Sequence, residues 1–317
     1  MKVHVLDDWH DTLRGLPCFR LLDGHAVTVW TDHQPDPTAL AARMRDVEAL
    51  CLFRERTPVT PTLLDGLPDL RLISLRGTTP HVDLAACAAR GVTVSSRPSG
   101  GTPPHATAEL TLLLLMAAFR DLPAQMAALR AGRWQAGVGQ GAHGKRLGLI
   151  GFGRIGRAVA GMAEALGMEV WWWGSPEGRA RAAAAGATVA PDRAAFFAGS
   201  DAVSLHVRLT AATRGMVTAA DLAAMPDRAV FANTARAGLV EAGALEAEVA
   251  AGRLRAAVDV FPEEPLRDPA HPLLGPGVVA TPHVGHVTEE ELDLQFADVF
   301  GQVQAFAEGA PVHVVAR

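Results

Sequence analysis

Short apolar runs alternate with helical stretches from the start of the chain. Lys2–Leu6, Ala26–Trp30, Ala49–Phe53, Leu70–Leu75 and Val92–Ser95 are largely apolar on both faces, as strands buried in a parallel sheet are. Between them, Pro37–Met44, Thr60–Leu67 and Val82–Arg90 carry helical periodicity, with Thr60 and Asp83 as helix starts and Gly91 as a stop. Ser96–Pro104 breaks the pattern and reads as a hinge or linker. One long helix is expected over His105–Arg133, ended or kinked by Pro123, and a glycine-rich loop over Gly137–Gly144.

A second series starts at Arg146. Its strands are Leu147–Ile150, Glu169–Trp173, Thr188–Ala190, Ala202–Val207, Ala229–Ala232, Ala256–Val260 and Val278–Ala280. The helices between them are Arg154–Leu166, Arg179–Ala185, Arg193–Ala198, Ala219–Ala224 and Glu241–Ala251. A last helix, Glu289–Glu308, is capped by Thr288 with Glu291 three residues on, and Pro311–Val315 reads as a final strand. Strand–helix alternation of this kind predicts an α/β protein of doubly wound parallel sheets.

Composition narrows the function classes. The 317 residues are 49% hydrophobic and 20% charged, with a net charge of −5, enough chain for about two domains. Lys and Arg are scattered, so no nucleic-acid or anionic membrane partner is expected. The most apolar stretch, Leu110–Phe119, is short of the ~20 residues that span a bilayer, and no signal-peptide pattern appears; a cytoplasmic location is expected. Cys18, Cys51 and Cys87 lack metal-ligand spacing and read as buried free thiols, and no metal is expected.

The chemistry starts at Gly151, Gly153 and Gly156, a G-x-G-x-x-G between a strand and a helix. Gly151 allows a tight turn, Gly153 lets the backbone approach a pyrophosphate, and Gly156 lets helix and strand pack closely. The helix then aims its first amides at the anion. The acid expected ~20 residues on, which would bond the ribose hydroxyls, is replaced by Gly174. Glu177 follows slightly late and is a substitute; Ser175, Arg179 and Arg181 could equally hold a 2′-phosphate, or the arginines face solvent. NAD and NADP both remain open, with the lean to NADP.

Three further segments follow later strands: Phe231–Glu241, Ala257–Pro265 and Thr281–His286. Together with the glycine motif they resemble the D-2-hydroxyacid dehydrogenase family, most strongly from Ala108 to Thr288. The resemblance implies that Arg236 fixes the substrate carboxylate and carbonyl, that His283 is the acid/base, and that Glu264 orients its imidazole. These roles make physical sense. Histidine titrates near neutrality, a carboxylate partner favours imidazolium, and arginine offers a forked charge to a carboxylate. It further implies that Arg154 and Ile155 approach the pyrophosphate, that Thr234 and Asp259 line the nicotinamide side, and that the Leu205–Thr210 segment passes beneath the adenosine half. His206 and His286 either line the site or are ordinary histidines.

The chain departs from the family pattern in several places. Arg208 stands where many relatives carry proline and could reach a 2′-phosphate or face solvent. His286 stands where glycine or tyrosine is common. In the substrate loop Leu75–His81, only Gly77 remains of two glycines, flanked by Arg76 and Thr78. Arg76 either recognises a second anionic group or forms a salt bridge across a cleft. Phosphoglycerate dehydrogenase-like activity is thinkable, with the end at residue 317 leaving no room for a regulatory domain.

The expected architecture is a Rossmann dinucleotide-binding domain over residues 99–287 and a discontinuous flavodoxin-like substrate domain over 1–98 and 288–317. Hinges near Pro98–Pro104 and His286–Thr288 would let a cleft close over the substrate. The expected reaction is reversible reduction of a small 2-keto acid, with phosphite oxidation and a dinucleotide-sensing corepressor as alternatives. The helix over His105–Arg133 either supports a homodimer or is an internal core helix.

Overall fold

The computed structural model describes residues 1–98, 103 and 105–317. Its first elements are β1 (Lys2–Val5), β2 (Ala26–Val29), α1 (Pro37–Arg43), β3 (Ala49–Cys51), α2 (Pro61–Asp65), β4 (Leu72–Arg76), α3 (Leu84–Ala89) and β5 (Thr93–Arg97). There follow α4 (His105–Phe119), α5 (Leu122–Arg130), β6 (Arg146–Ile150), α6 (Arg154–Ala165), β7 (Glu169–Trp173), α7 (Pro176–Ala184), α8 (Arg193–Ala198) and β8 (Ala202–Leu205). The last are α9 (Ala219–Ala224), β9 (Val230–Asn233), α10 (Ala244–Ala250), β10 (Arg255–Val258), β11 (Val278–Ala280), α11 (Glu289–Ala307) and β12 (Val314–Ala316). Most helices start where a short polar side chain accepts an orphan amide: Asp36 from Thr38, Asp83 from Ala86, Asp192 from Ala195 and Thr288 from Glu291.

The chain divides into two compact units, Met1–Thr102 with Val287–Arg317, and Pro103–His286. Much of the linker expected at Ser96–Pro104 (residues 99–102 and 104) lies outside the described residues. In the first unit the strand order is β12-β5-β4-β3-β1-β2, parallel except for β12, which runs antiparallel to β5. The five parallel strands, numbered along the chain, thus lie in the order 2-1-3-4-5 of flavodoxin-like sheets. Leu50, Ile73, Leu75 and Val94 pack under α1–α3 on one face. On the other, Val3, Val5 and Leu72 meet Phe296, Val299, Phe300 and Val303 of α11. Ser74 Oγ donates to Val299 O at 2.7 Å across that second face, so a polar residue inside β4 is satisfied by a helix 225 residues away in sequence.

In the second unit the order is β11-β10-β9-β8-β6-β7, all parallel. The strand expected at Thr188–Ala190 shrinks to one bridge, Trp172 to Val189, on the far side of β7. With it the unit has the Rossmann order, the chain reversing direction across the sheet between β6 and β8. One face packs Leu147, Leu149 and Ala257 under α4 and α6; the other packs Val203, Leu205 and Phe231 under α8–α10.

Two of the helices that differ from the reading of the sequence do so for a visible physical reason. The single helix over His105–Arg133 is two, bent by 65°. The break comes before Pro123, because proline clashes with the carbonyl four residues back and α4 must stop at Phe119. Asp121 turns the corner at φ 50°, and Pro123 then sits in the first turn of α5, where its missing N–H costs nothing. The carbonyls freed at Ala118 and Phe119 accept Arg255 Nη1, both at 3.0 Å. The other change is α7, which begins at Pro176 rather than Arg179. Ser175 caps it by accepting from the Gly178 amide.

No single helix among the described residues is long and apolar enough to cross a membrane. All three cysteines are buried, and burial pushes the thiols up, Cys18 to about 12 and Cys87 to about 11, so they are not nucleophiles at neutral pH.

Candidate active site

The glycine turn after β6 lies at the sheet's switch point, and its three glycines have different causes. Gly151 has φ 105°, and a Cβ there would fall 2.6 Å from the His206 carbonyl oxygen. A Cβ at Gly156 would fall 2.6 Å from the Gly151 carbonyl oxygen. Both are required by the protein's own packing. Gly153 is not: its backbone is extended, and a Cβ would meet only His206 O, at 3.9 Å. A residue that the fold leaves free to be larger, at the bare N-cap of a twelve-residue helix, keeps a cradle open over the first amides of α6. These residues fit a dinucleotide pyrophosphate. Arg154 is exposed and Ile155 half-buried at the start of that helix. His206 follows β8 beside the turn, with Nε2 3.0 Å from Ser204 Oγ, and burial lowers its pKa to about 4. The ring is therefore neutral at working pH.

At the end of β7, Gly174 (φ 155°) supplies no side chain where an acid was expected. Ser175 is occupied in capping α7. Glu177 is held below the usual carboxylate range by its own backbone amide and the Ser175 hydroxyl. The Arg179 guanidinium lies over the Trp173 ring, 4.2 Å from its centroid, and is thereby held at the strand end. Arg208 is exposed after β8.

The other three segments leave the adjacent strands β9, β10 and β11 at the same, carboxyl edge of the sheet. His283 Nδ1 and Glu264 Oε2 are 2.6 Å apart, each side chain about one-third exposed, while Glu264 Oε1 accepts from the Phe261 amide at 2.9 Å. With a carboxylate on Nδ1, that nitrogen is the donor and Nε2 is left for proton exchange. Burial alone would push the Glu264 carboxyl up. The His283 bond, the Phe261 amide and the charges of His283 and Arg236 outweigh it, and the carboxyl falls below its ordinary value.

His283 itself is left-handed, at φ 55°. Asp259, fully buried, holds its loop: Oδ1 accepts from Thr281 Oγ1 at 2.6 Å and the Val284 amide at 2.8 Å, and Oδ2 from the Gly285 amide at 2.8 Å. The Asp259 carboxylate thus spends its acceptors chiefly on the protein. Burial raises its pKa, opposed by those bonds. His286 is buried with its ring edge-on to His283, centroids 5.8 Å apart. Arg236 is exposed, its Nη1 donating to Ala235 O at 2.7 Å. Thr234 is tied to Thr111 of α4 by a buried 2.7 Å hydroxyl pair. Neither Thr111 nor the strand-end Asn233, whose amide bonds two backbone groups of the Arg236 loop, was singled out from the sequence. For Asn233 the signal was there, since asparagine at a strand end commonly folds the chain back on its own side chain.

The remaining expected residues lie in the first unit. Arg76 is buried and pairs through Nε with Asp298 of α11 at 2.8 Å, and Asp298 also takes Arg97 at 2.6 Å. The ion pair foreseen as one alternative for Arg76 is therefore internal to its own unit. Gly77 has φ 101°, and the exposed Thr78 donates to Glu55 Oε1 at 3.0 Å.

Residues 112–285 match the family described as D-isomer specific 2-hydroxyacid dehydrogenase, NAD binding domain. The chain is 35% identical over 301 residues to hydroxypyruvate reductase of Thermotoga maritima, covering 91% of this chain and 92% of that protein. It is 34% identical over 256 residues to D-3-phosphoglycerate dehydrogenase of Methanocaldococcus jannaschii, covering 79% of this chain and 48% of that protein. The chain spans about half the length of the curated phosphoglycerate dehydrogenases it matches, those of Methanocaldococcus jannaschii and Mycobacterium among them. Among solved structures, phosphoglycerate oxidoreductase from Vibrio cholerae superposes with a TM-score of 0.91 at 42% identity, covering 98% of this chain and 100% of that one.

Proposed function

The chain belongs to the D-isomer specific 2-hydroxyacid dehydrogenase family, and from that premise we propose that it interconverts a small 2-keto acid and its D-2-hydroxy acid. The observation that carries this reading is the Glu264–His283 pair beside Arg236, on the sheet edge that also bears the glycine cradle. The bound dinucleotide supplies or accepts the hydride. Arg236 binds the substrate carboxylate through its forked donors. In the reducing direction His283 gives its Nε2 proton to the carbonyl oxygen as the hydride arrives at carbon, and takes it back in the reverse direction. Glu264 keeps Nδ1 protonated and offsets the imidazolium charge.

Arg76 is already paired with Asp298, which favours substrates without a second anionic group, such as glyoxylate or hydroxypyruvate. On the adenosine side, Gly174 removes the carboxylate that would repel a 2′-phosphate, and Arg179 on Trp173 and Arg208 are the cations to receive it; we take NAD and NADP both to serve, with the lean to NADP. If Arg179→Ala and Arg208→Ala both leave the NADPH/NADH preference unchanged, that lean has no basis. Leu113, Leu122, Met126, Leu129, Trp134 and Val138 expose apolar side chains along α4, α5 and the segment after them, which supports a homodimer through this face.

The activity is tested by following nicotinamide absorbance with NADH and NADPH against glyoxylate, hydroxypyruvate, pyruvate, oxaloacetate and phosphohydroxypyruvate. Turnover of the small keto acids is expected. Tight dinucleotide binding without turnover of any of them would favour a sensor instead.

A further inference from the structure

Asn233 closes β9 and is 2% exposed, so its amide must find partners inside the protein. It finds two, both in the loop it starts. Oδ1 accepts from the Ala235 amide at 3.0 Å, and Nδ2 donates to the Arg236 carbonyl at 2.9 Å. Only a primary amide can do both at once: a carboxylate lacks the donor, and a hydroxyl is too short to reach across the turn. The Arg236 carbonyl also accepts the Leu239 amide at 3.2 Å, opening the 3-10 turn Ala237–Leu239. Thr234, between the two, is pinned to Thr111.

The consequence reaches the guanidinium. Arg236 Nη1 donates to the carbonyl of Ala235, the residue whose amide Asn233 holds. The two bonds of the clamp therefore hold the peptides on either side of the Ala235–Arg236 peptide, whose carbonyl the arginine side chain rests against, and so limit its freedom from both ends. Arg236 is exposed, and its long side chain rests on this contact and on the charge of Glu264. We propose that Asn233 is a positioning residue for Arg236: its buried amide pre-sets the guanidinium for a carboxylate, so that binding does not have to order it. The proposal rests on the reading of Arg236 as the carboxylate anchor.

The test is a double-mutant cycle read by binding, independent of turnover. Oxamate, a carboxylate mimic of a 2-keto acid, is titrated into the enzyme·NADH complex. Asn233→Ala should weaken oxamate about tenfold, the loss of one to two hydrogen bonds' worth of ordering. NADH affinity should stay within about twofold. Asn233→Asp keeps the Ala235 bond but sets an acceptor against the Arg236 carbonyl, and should weaken oxamate as well. In an Arg236→Ala background, Asn233→Ala should have no further effect. Unchanged oxamate binding in both Asn233 variants overturns the proposal, as does a loss that adds in full to that of Arg236→Ala. Should Asn233→Ala fail to fold, by loss of NADH binding, Asn233→Asp decides alone. If Arg236→Ala itself binds oxamate like the parent, the anchor reading is gone and this proposal with it.

Discussion

Glu264 sits between opposing influences: burial favours its neutral acid, while His283, an amide and Arg236 favour the carboxylate, and the second set wins. Glu264→Gln keeps the shape but turns a donor toward Nδ1, forcing the proton onto Nε2 as a neutral tautomer. We expect kcat for keto-acid reduction to fall about 10- to 100-fold at neutral pH with NADH affinity intact; an unchanged kcat would show that the charge is not used. His206 gives a second residue-level prediction. Its folded pKa of about 4 is depressed from an unfolded value of ~6.5. The fold keeps it neutral, so stability is unaffected by this group above ~6.5 and falls as pH drops below that, the loss reaching about 3 kcal/mol by about pH 4. His206→Gln should flatten that limb of the melting temperature against pH. A limb of unchanged slope would remove His206 as its cause. The glycine turn was legible from its local spacing, whereas Arg236, Glu264 and His283 were singled out through the resemblance of whole segments to a family. The Arg76–Asp298 pair was not legible, because Asp298 lies in a helix that only the folded first sheet brings to the end of β4.

At the scale of elements, the β6–α6 turn separates packing from ligand demands. Gly151→Ala forces a Cβ against backbone at a left-handed φ and should destabilise the fold by at least about 1–3 kcal/mol. Gly153→Ala meets nothing closer than 3.9 Å, so the apo protein should melt within about 0.5 kcal/mol of the parent while dinucleotide binds at least about tenfold more weakly. Calorimetry and NADH fluorescence titration check both; full NADH affinity in Gly153→Ala would mean that the space is not the cofactor's. Boundaries of most elements follow from periodicity and caps in the sequence. The exception at α4 is instructive. Pro123 correctly announces a break, but the position of that break depends on which groups receive the freed carbonyls, and Arg255, 137 residues from Ala118, is one of them. Likewise Ser175 makes α7 begin early by acting as its cap, a role that competes with binding a phosphate.

At the scale of the molecule, the chain's ends build one sheet: α11 covers a face of the first unit and β12 adds an antiparallel strand, pairing β5. That discontinuity was read from the family-based assignment of the domains, with a helix and a strand still to place after Thr288; which strand β12 would join was not legible. The apolar residues along α4 and α5 make an equally global prediction. Leu129→Glu, at a position 63% exposed, should turn a homodimer into a monomer in sedimentation while leaving the fold intact; no change in mass would remove this face from consideration. The central claim, hydride exchange with proton transfer through His283, is tested most directly by comparing the parent and His283→Ala in keto-acid reduction, with NADH affinity measured on both. The account predicts turnover by the parent, a loss of at least about 100-fold in the variant, and equal NADH binding. Parent-like turnover by His283→Ala would contradict it.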